Sequence, residues 1–324
     1  MTFNSILKII FKRQELKDNP PILIDIGASE VLHQQWKKIA KYFWCIAFDA
    51  DERDFQFIED KKSDFKKLFI YNCIVSDSNS DETDFYLTES PYCSSLLKPD
   101  EKKLKSYLHS PLFKIKDTVK LKSKTLTSVL SELNISRIDW FKSDSQGIDL
   151  RLFKSIDETI QEKVIVAELE PGIINAYLGE DKLFQILEYF HNQNFWLSDI
   201  EIKGVPRISD ELFSKIFENR LTYKIAKESV KKSPGWGEMV FFNDITNNKY
   251  FTIRDYLLAW IFATIEEQHP YALNLANEGL YKFQDKIFSE LIHYSIKQMK
   301  MSIIKLKFLP SVKEYLNKYF KRYK

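Results

Sequence analysis

From Pro21 onward the chain alternates short apolar runs with amphipathic stretches. Ile22-Leu-Ile-Asp-Ile26 predicts a buried strand and Glu30 to Tyr42 a helix. Cys45-Ile-Ala-Phe48 predicts a second strand, Asp54 to Lys61 a second helix, and Leu68 to Val75 a third strand. Apolar runs of this length, spaced by helical patterns, are what βαβ units and a parallel sheet covered on both faces require. The rhythm breaks between Asp77 and Lys122, which holds a short hairpin strand (Thr83 to Leu87), a Ser-rich loop and a charged helix around Asp100 to Leu108. It then returns. Thr125 to Leu133 predicts a helix, Ile138 to Ser143 a strand, Asp149 to Ile156 a helix and Val164 to Glu168 a strand. Lys182 to Asn192 predicts a helix, Phe195 to Glu201 a strand, Asp210 to Glu218 a helix and Glu238 to Asn243 a strand. After Asn248 the strand signals stop; Tyr250 to Glu267, Pro270 to Phe283 and Lys286 to Met299 predict helices, ahead of a basic tail from Lys305 to Lys324. The expected architecture is an α/β, doubly wound Rossmann-like sheet with a C-terminal helical extension. Its parts are an N-terminal helical segment at 1–20, the α/β domain at 21–248 and the extension at 249–324.

Charge and cysteine content narrow the partners. The 48 basic and 46 acidic residues nearly cancel, so the chain lacks the global positive field with which nucleic-acid binders neutralise phosphates. The three cysteines, Cys45, Cys73 and Cys93, form no C-x-x-C pair, and an odd number fits a reducing compartment better than a disulfide framework. The apolar stretch near Met1 is short and interrupted by Lys8, a poor signal peptide, and Tyr256 to Ile265 is too short to span a bilayer. A cytoplasmic location is expected. The Lys305–Lys324 tail interleaves cations with apolar residues; a solvated helix packing its apolar face is the plain reading, and peripheral contact with an anionic membrane the sharper one.

Asp25-Ile-Gly27-Ala28-Ser29 stands where the first strand passes into a helix. Doubly wound sheets bind nucleotides at such turns, because glycine admits close approach and the helix start offers free N–H groups. Asp49, at the end of the next strand, has the right separation to meet ribose hydroxyls. The loop holds no second or third glycine, only Glu30 and Val31, and an acid there suits a pyrophosphate poorly. A phosphate-free donor such as S-adenosylmethionine fits better than a nicotinamide dinucleotide.

The later segments carry a resemblance. Beside the first two strand ends stand Asn72-Cys-Ile-Val-Ser-Asp77, Asp84-Phe-Tyr-Leu-Thr88, Ser94-Ser-Leu-Leu97, Lys142-Ser-Asp-Ser-Gln-Gly-Ile-Asp149, Val166-Ala-Glu-Leu-Glu170 and Tyr177-Leu-Gly179. In order and spacing, over Pro21 to about Asn243, they resemble the FkbM-type S-adenosylmethionine-dependent methyltransferases. Asp149 replaces the family's usual Glu, and Val31 stands where many members have a second loop glycine. The resemblance implies O-methylation of a sugar hydroxyl on a glycan, glycolipid or related small molecule.

On that reading Asp25, Gly27, Ala28, Ser29 and Asp49 hold the cofactor, with Asn72 and Cys73 at the adenine edge. Asp144 and Glu168 are the candidate catalytic acids, since a hydroxyl becomes a good nucleophile only when its proton is taken; the acids are also compatible with a divalent metal. Ser94 and Ser95 resemble the family's Ser-Ser loop over the acceptor. Asp149 reads first as a helix-start acid favoured by the dipole, and His33 as a polar helix residue. Asn19-Pro-Pro-Ile22 precedes the first strand and ends in Ile, so it reads as a turn. Two rivals stand beside the enzyme: a non-catalytic binding module on the same fold, and an NAD-linked oxidoreductase, disfavoured by the single loop glycine.

Overall fold

The computed structural model describes residues 1–28, 34–50, 64–246 and 250–308, with side chains to 303. Ser29, Glu30, Val31 and His33, the helix expected at Asp54 to Lys61, and most of the basic tail fall outside them. Two compact units emerge, one comprising 20–244 and the other 1–19 together with 245–324.

The first unit is built on a seven-stranded sheet. Its strands are β1 (Ile22–Ile26), β2 (Trp44–Phe48), β3 (Lys67–Tyr71), β7 (Trp140–Ser143), β8 (Val166–Leu169), β9 (Phe195–Val205) and β10 (Ser233–Asn243). The order is β3-β2-β1-β7-β8-β10-β9. The first five are mutually parallel; β10 runs antiparallel to β8, and β9 to β10. Three further strands, β4 (Ile74–Val75), β5 (Ser80–Thr88) and β6 (Ile115–Lys124), make a small sheet in the order β4-β6-β5. The architecture is the doubly wound, Rossmann-like one that the alternation predicts.

One sheet face carries a continuous apolar core. Ile24, Ile26, Ile46, Phe48, Phe141, Ala167 and Phe241 meet Leu126, Val129 and Leu130 of the helix Leu126–Glu132, Leu152 and Phe153 of the helix Asp149–Lys154, and Ile186 and Phe190 of the helix Leu183–His191. Phe190 stacks on Phe241 at 4.2 Å, and Phe153 meets Phe141 edge-on at 5.3 Å. Aromatic pairs of this geometry add to what area burial already contributes. On the opposite face, Trp36 packs edge-on against Trp140 at 5.8 Å, and both are fully buried.

Several expectations change. The run Leu68 to Val75 is two strands: β3 ends at Tyr71, Asn72 and Cys73 turn, and β4 leaves to pair with β6. An apolar run cannot announce that its two halves belong to different sheets. β6 itself escapes the apolar pattern, because its sequence Ile-Lys-Asp-Thr-Val-Lys-Leu-Lys-Ser-Lys is held largely by pairing with β5 and by ion pairs such as Lys120–Asp84 at 2.8 Å. The described part of the stretch Glu30 to Tyr42 forms two short 3-10 segments, Gln34–Lys38 and Ala40–Tyr42. A helix at Arg220–Ser229 was not expected; no residue of it is buried, so it lacks a core-facing signature.

The second unit is helical. Its helices Phe3–Ile10, Gln14–Asp18, Ile253–Ile265, His269–Phe283 and Ile287–Phe308 come from the N-terminal and C-terminal parts of the chain. Arg13 pairs with Asp285 at 2.8 Å, Arg254 Nε donates to the Asn19 carbonyl at 2.9 Å, and Trp260 Nε1 donates to Ser295 Oγ at 3.0 Å. Gly279 lets two helices close: a Cβ there would stand 2.3 Å from the Phe288 ring. Among the described residues no helix is long and apolar enough to cross a membrane.

Candidate active site

The strand order reverses between β1 and β7: the chain builds outward from β1 to β3 on one side and from β7 to β8 on the other. Ligands of open α/β sheets bind in the crevice outside the carboxyl ends of the strands at such a switch point. A cleft open to solvent lies there. Ile26 and Gly27 enter it from β1, Phe48, Asp49 and Ala50 from β2, and Asp144, Ser145 and Gln146 from β7. Cys73, Ile74 and Val75 reach it from the turn after β3, and the inserted segment adds Phe85, Pro91, Tyr92, Ser94 and Leu96 as an outer wall.

The floor is held by close backbone contacts. Gly27 has φ +75, and a Cβ on it would lie 2.3 Å from the Asp144 carbonyl oxygen. Any other residue there would push the first loop off the end of β7. The Gly27 and Ala28 amides both donate to the Phe48 carbonyl, at 3.0 and 3.1 Å, and the Asp144 amide donates to the Ile26 carbonyl at 3.0 Å. Three strand ends are thereby locked around one volume.

Asp49 lies buried in the wall, with its amide bonded to the Tyr71 carbonyl at 3.2 Å. Asp144 also faces the cleft. Burial pushes its carboxyl up, and Asp25 and Glu168 add to that; Lys142 and the Gln146 amide pull it down without reversing the shift. Gln146 Nε2 donates to Asp144 Oδ1 at 2.5 Å, and Gln146 Oε1 lies 3.0 Å from the Tyr177 hydroxyl. Gln146 sits in the left-handed region (φ +56), with its carbonyl taken by Ser95 Oγ at 2.8 Å. The sequence alone assigns no role to Gln146 or Tyr177. A Gln-Gly turn directly after a strand is the signal available, since it marks a reversal that holds a side chain over the strand end.

The remaining candidates have other places. Asp25 points to the opposite sheet face, where it pairs with Lys142 at 2.9 Å and does not line the cleft. Burial works against the Lys142 ammonium, but facing Asp25, Glu168 and Asp144 hold it above the ordinary lysine range. Glu168 shares that face, opposite Lys142 across β7 and β8, and accepts from Trp140 Nε1 at 3.3 Å. It too is outside the lining, because strand alternation turns it away from the core face that Leu169 joins. Ala28 is buried but not in the lining, and Asn72 is exposed beside the lining Cys73. Ser94 lines the cleft while its Oγ accepts from the Thr88 amide at 3.2 Å; Ser95 clamps the Gln146 loop and does not line it.

Asp149 is a stitch for the turn. Its Oδ1 accepts from Ser143 Oγ at 2.5 Å and the Ser145 amide at 2.8 Å, and its Oδ2 from the Glu170 amide at 3.2 Å. Burial pushes it up to about 7, with those hydrogen bonds opposing. Glu170 rises to about 10 through burial and the neighbouring Asp144 and Asp149. Among the described residues no three His, Cys, Asp or Glu side chains converge as a metal site would require.

The molecule is thus a doubly wound α/β protein with a cleft at its switch point. No protein-family model matches the sequence and no curated protein matches it, so the FkbM-type resemblance rests on the quoted motifs. Two solved structures are similar at low level. One is a precorrin-6y C5,15-methyltransferase from Geobacter metallireducens GS-15, 9% identical with TM-score 0.31, covering 74% of this chain and 86% of that one. The other is a candidate RNA methyltransferase from Pyrococcus horikoshii, 11% identical with TM-score 0.28, covering 76% and 82%.

Proposed function

We propose that the chain is an S-adenosylmethionine-dependent methyltransferase that methylates a hydroxyl, most simply of a sugar on a glycan, glycolipid or related molecule. The observation that carries this reading is the convergence of Gly27, Asp49 and Asp144, from three strand ends, on one cleft. The donor set fits the cofactor. Asp49 supplies a buried carboxylate for a ribose diol, Ile74, Val75 and Ile148 supply apolar surface for a base, and the sequence from Asp25 to Val31 has the single glycine Gly27. When bound, S-adenosylmethionine supplies a methyl group already activated as a sulfonium, so the protein's share is alignment and proton removal.

Asp144 takes the acceptor's proton. Burial raises its affinity for protons, as a base needs, while Gln146 fixes its orientation. Glu168, paired into the Lys142 row on the other face, serves the sheet and not the reaction. The outer wall of Phe85, Pro91 and Tyr92 offers aromatic and apolar surface to the C–H face of a sugar ring, with Ser94 at its side.

Titration calorimetry of the whole chain with S-adenosylmethionine and S-adenosylhomocysteine tests the reading. Micromolar binding is expected, weakened by roughly tenfold to a hundredfold in Asp49→Ala, the range for losing a hydrogen bond to a charged group. Asp144→Asn should keep the cofactor and lose transfer to sugar acceptors. A folded wild-type chain that binds neither ligand would sink the proposal.

A further inference from the structure

Between β9 and β10 the chain inserts two helices, Asp210–Ile216 and Arg220–Ser229. They pack on each other through Tyr223, whose ring meets Phe213 edge-on at 5.1 Å and whose hydroxyl donates to Asp210 Oδ1 at 2.7 Å. Each also carries an aliphatic pair one turn apart that the fold leaves uncovered. Leu212 and Ile216 are 51% and 57% exposed, and Leu221 and Ile225 are 67% and 58% exposed. Single exposed aliphatics are ordinary, but i, i+4 pairs on consecutive helices form stripes, and stripes of this kind mark contact surfaces.

Charge selects the partner. Over the helix pair, Asp210 to Lys232, six cations stand against four acids. Lys215 pairs with Glu211 and Lys232 with Glu228, which leaves Arg220, Lys224, Lys227 and Lys231 gathered on and just after the second helix, where no other acid stands. On the helix Arg220–Ser229 the inner side is Tyr223, Ala226 and Lys227, and the exposed side is Leu221, Lys224, Ile225 and Glu228. A lysine-rich helix with an exposed aliphatic stripe and no buried residue is the composition of an interfacial helix. Protein–protein interfaces are instead depleted in Lys and enriched in aromatic residues and Arg.

We propose that this helix pair is a docking surface for a membrane bearing anionic lipid: Leu221 and Ile225, with Leu212 and Ile216, enter the headgroup boundary, and the flanking Lys and Arg meet lipid phosphate and carboxylate groups. The surface is tied to the segment that runs behind the cleft residue Gln146. The Pro206 carbonyl accepts from the Leu108 amide at 3.1 Å, and Arg207 lies over the Tyr107 ring at 5.8 Å. The same segment continues to Phe113, whose ring meets Tyr177 at 5.6 Å beside Gln146. Docking here sets the cleft near the bilayer surface, where a lipid-linked acceptor presents its hydroxyls. The docking itself does not depend on the chemistry in the cleft.

The test is co-sedimentation of the whole chain with vesicles of phosphatidylcholine alone and of phosphatidylcholine mixed with phosphatidylserine. Binding to the mixed vesicles is expected to be at least about tenfold stronger and to fall as salt is raised. L221S/I225S and, separately, K224E/K231E should each lose about tenfold or more with unchanged thermal midpoints, because these side chains are solvent-facing. Equal binding to both vesicles, or none, overturns the proposal. So does wild-type binding by L221S/I225S, which would put the contact elsewhere, as on the basic tail. If L221S/I225S instead turns a dimer into a monomer and leaves vesicle binding intact, the stripe is a contact between copies, and the membrane assignment falls.

Discussion

Asp149 shows how little a residue's type says about its work. It stands at the start of a helix, where a carboxylate is favoured by the dipole, yet its oxygens face back to Ser143 and Ser145 and across to the Glu170 amide. Buried there, it holds its proton up to about pH 7, whereas the free side chain releases it near 3.8. Between those values the unfolded chain binds fewer protons than the folded one, so stability must fall as pH rises through that window. The contribution is complete below 3.8 and lost by about 7. Thermal midpoints measured across the range should decline in the wild type, and Asp149→Asn, which has no proton to release, should be flatter by several degrees. A profile parallel to the wild type would show that another group carries the dependence. The Asp25–Lys142 pair makes the same point from the other side: an acid beside the glycine turn is a natural ligand candidate in sequence, and pleat parity turns it to the far face.

Elements are limited by what their partners permit. The helix His269–Phe283 approaches Ile287–Phe308 only because Gly279 has no side chain, a Cβ being 2.3 Å from Phe288 Cε1. Gly279→Ala is expected to destabilise the helical unit by about 1–3 kcal/mol, overpacking outweighing the better helix propensity of Ala. Denaturant titration would check it, and a stabilised variant would mean that the Phe288 ring moves aside at no cost. Among the strands, legibility follows burial. β1, β2, β7 and β8 are apolar runs and stand out at once. β6 and the outer half of β9 are stabilised by neighbours instead of by a core, so their sequences are too polar to declare them. The break between β3 and β4 was illegible for a different reason: both halves are apolar, and only pairing with separate sheets distinguishes them.

At the scale of the molecule, the described residues of 1–19 and 245–308 fold together into one helical unit while the intervening 20–244 form the other. If the cleft binds S-adenosylhomocysteine, mass action requires the folded protein to gain about 2.7 kcal/mol at a hundredfold excess over Kd. For the unit 20–244, at roughly 2–4 °C per kcal/mol, that raises the thermal midpoint by roughly 5–11 °C. The gain should shrink to about 0.4–1.4 kcal/mol in Asp49→Ala at the same ligand concentration and persist in L221S/I225S, separating the cleft from the surface helices. An equal shift in Asp49→Ala would remove that carboxylate from the binding site.

By itself the sequence determined the alternation of elements, the position of the glycine turn after β1, and the acids at the ends of β2 and β7. These are legible because burial imposes periodicity and because a tight turn admits few residue types. The tertiary structure decided which acids share a cavity. Asp49 and Asp144 meet in the cleft, whereas Asp25 and Glu168 flank Lys142 on the other face. It also decided that Tyr177, 31 residues further along the chain, meets the Gln146 that holds Asp144. Local pattern reports what a residue prefers; sheet order and strand parity, which depend on residues far away in the chain, set what it touches.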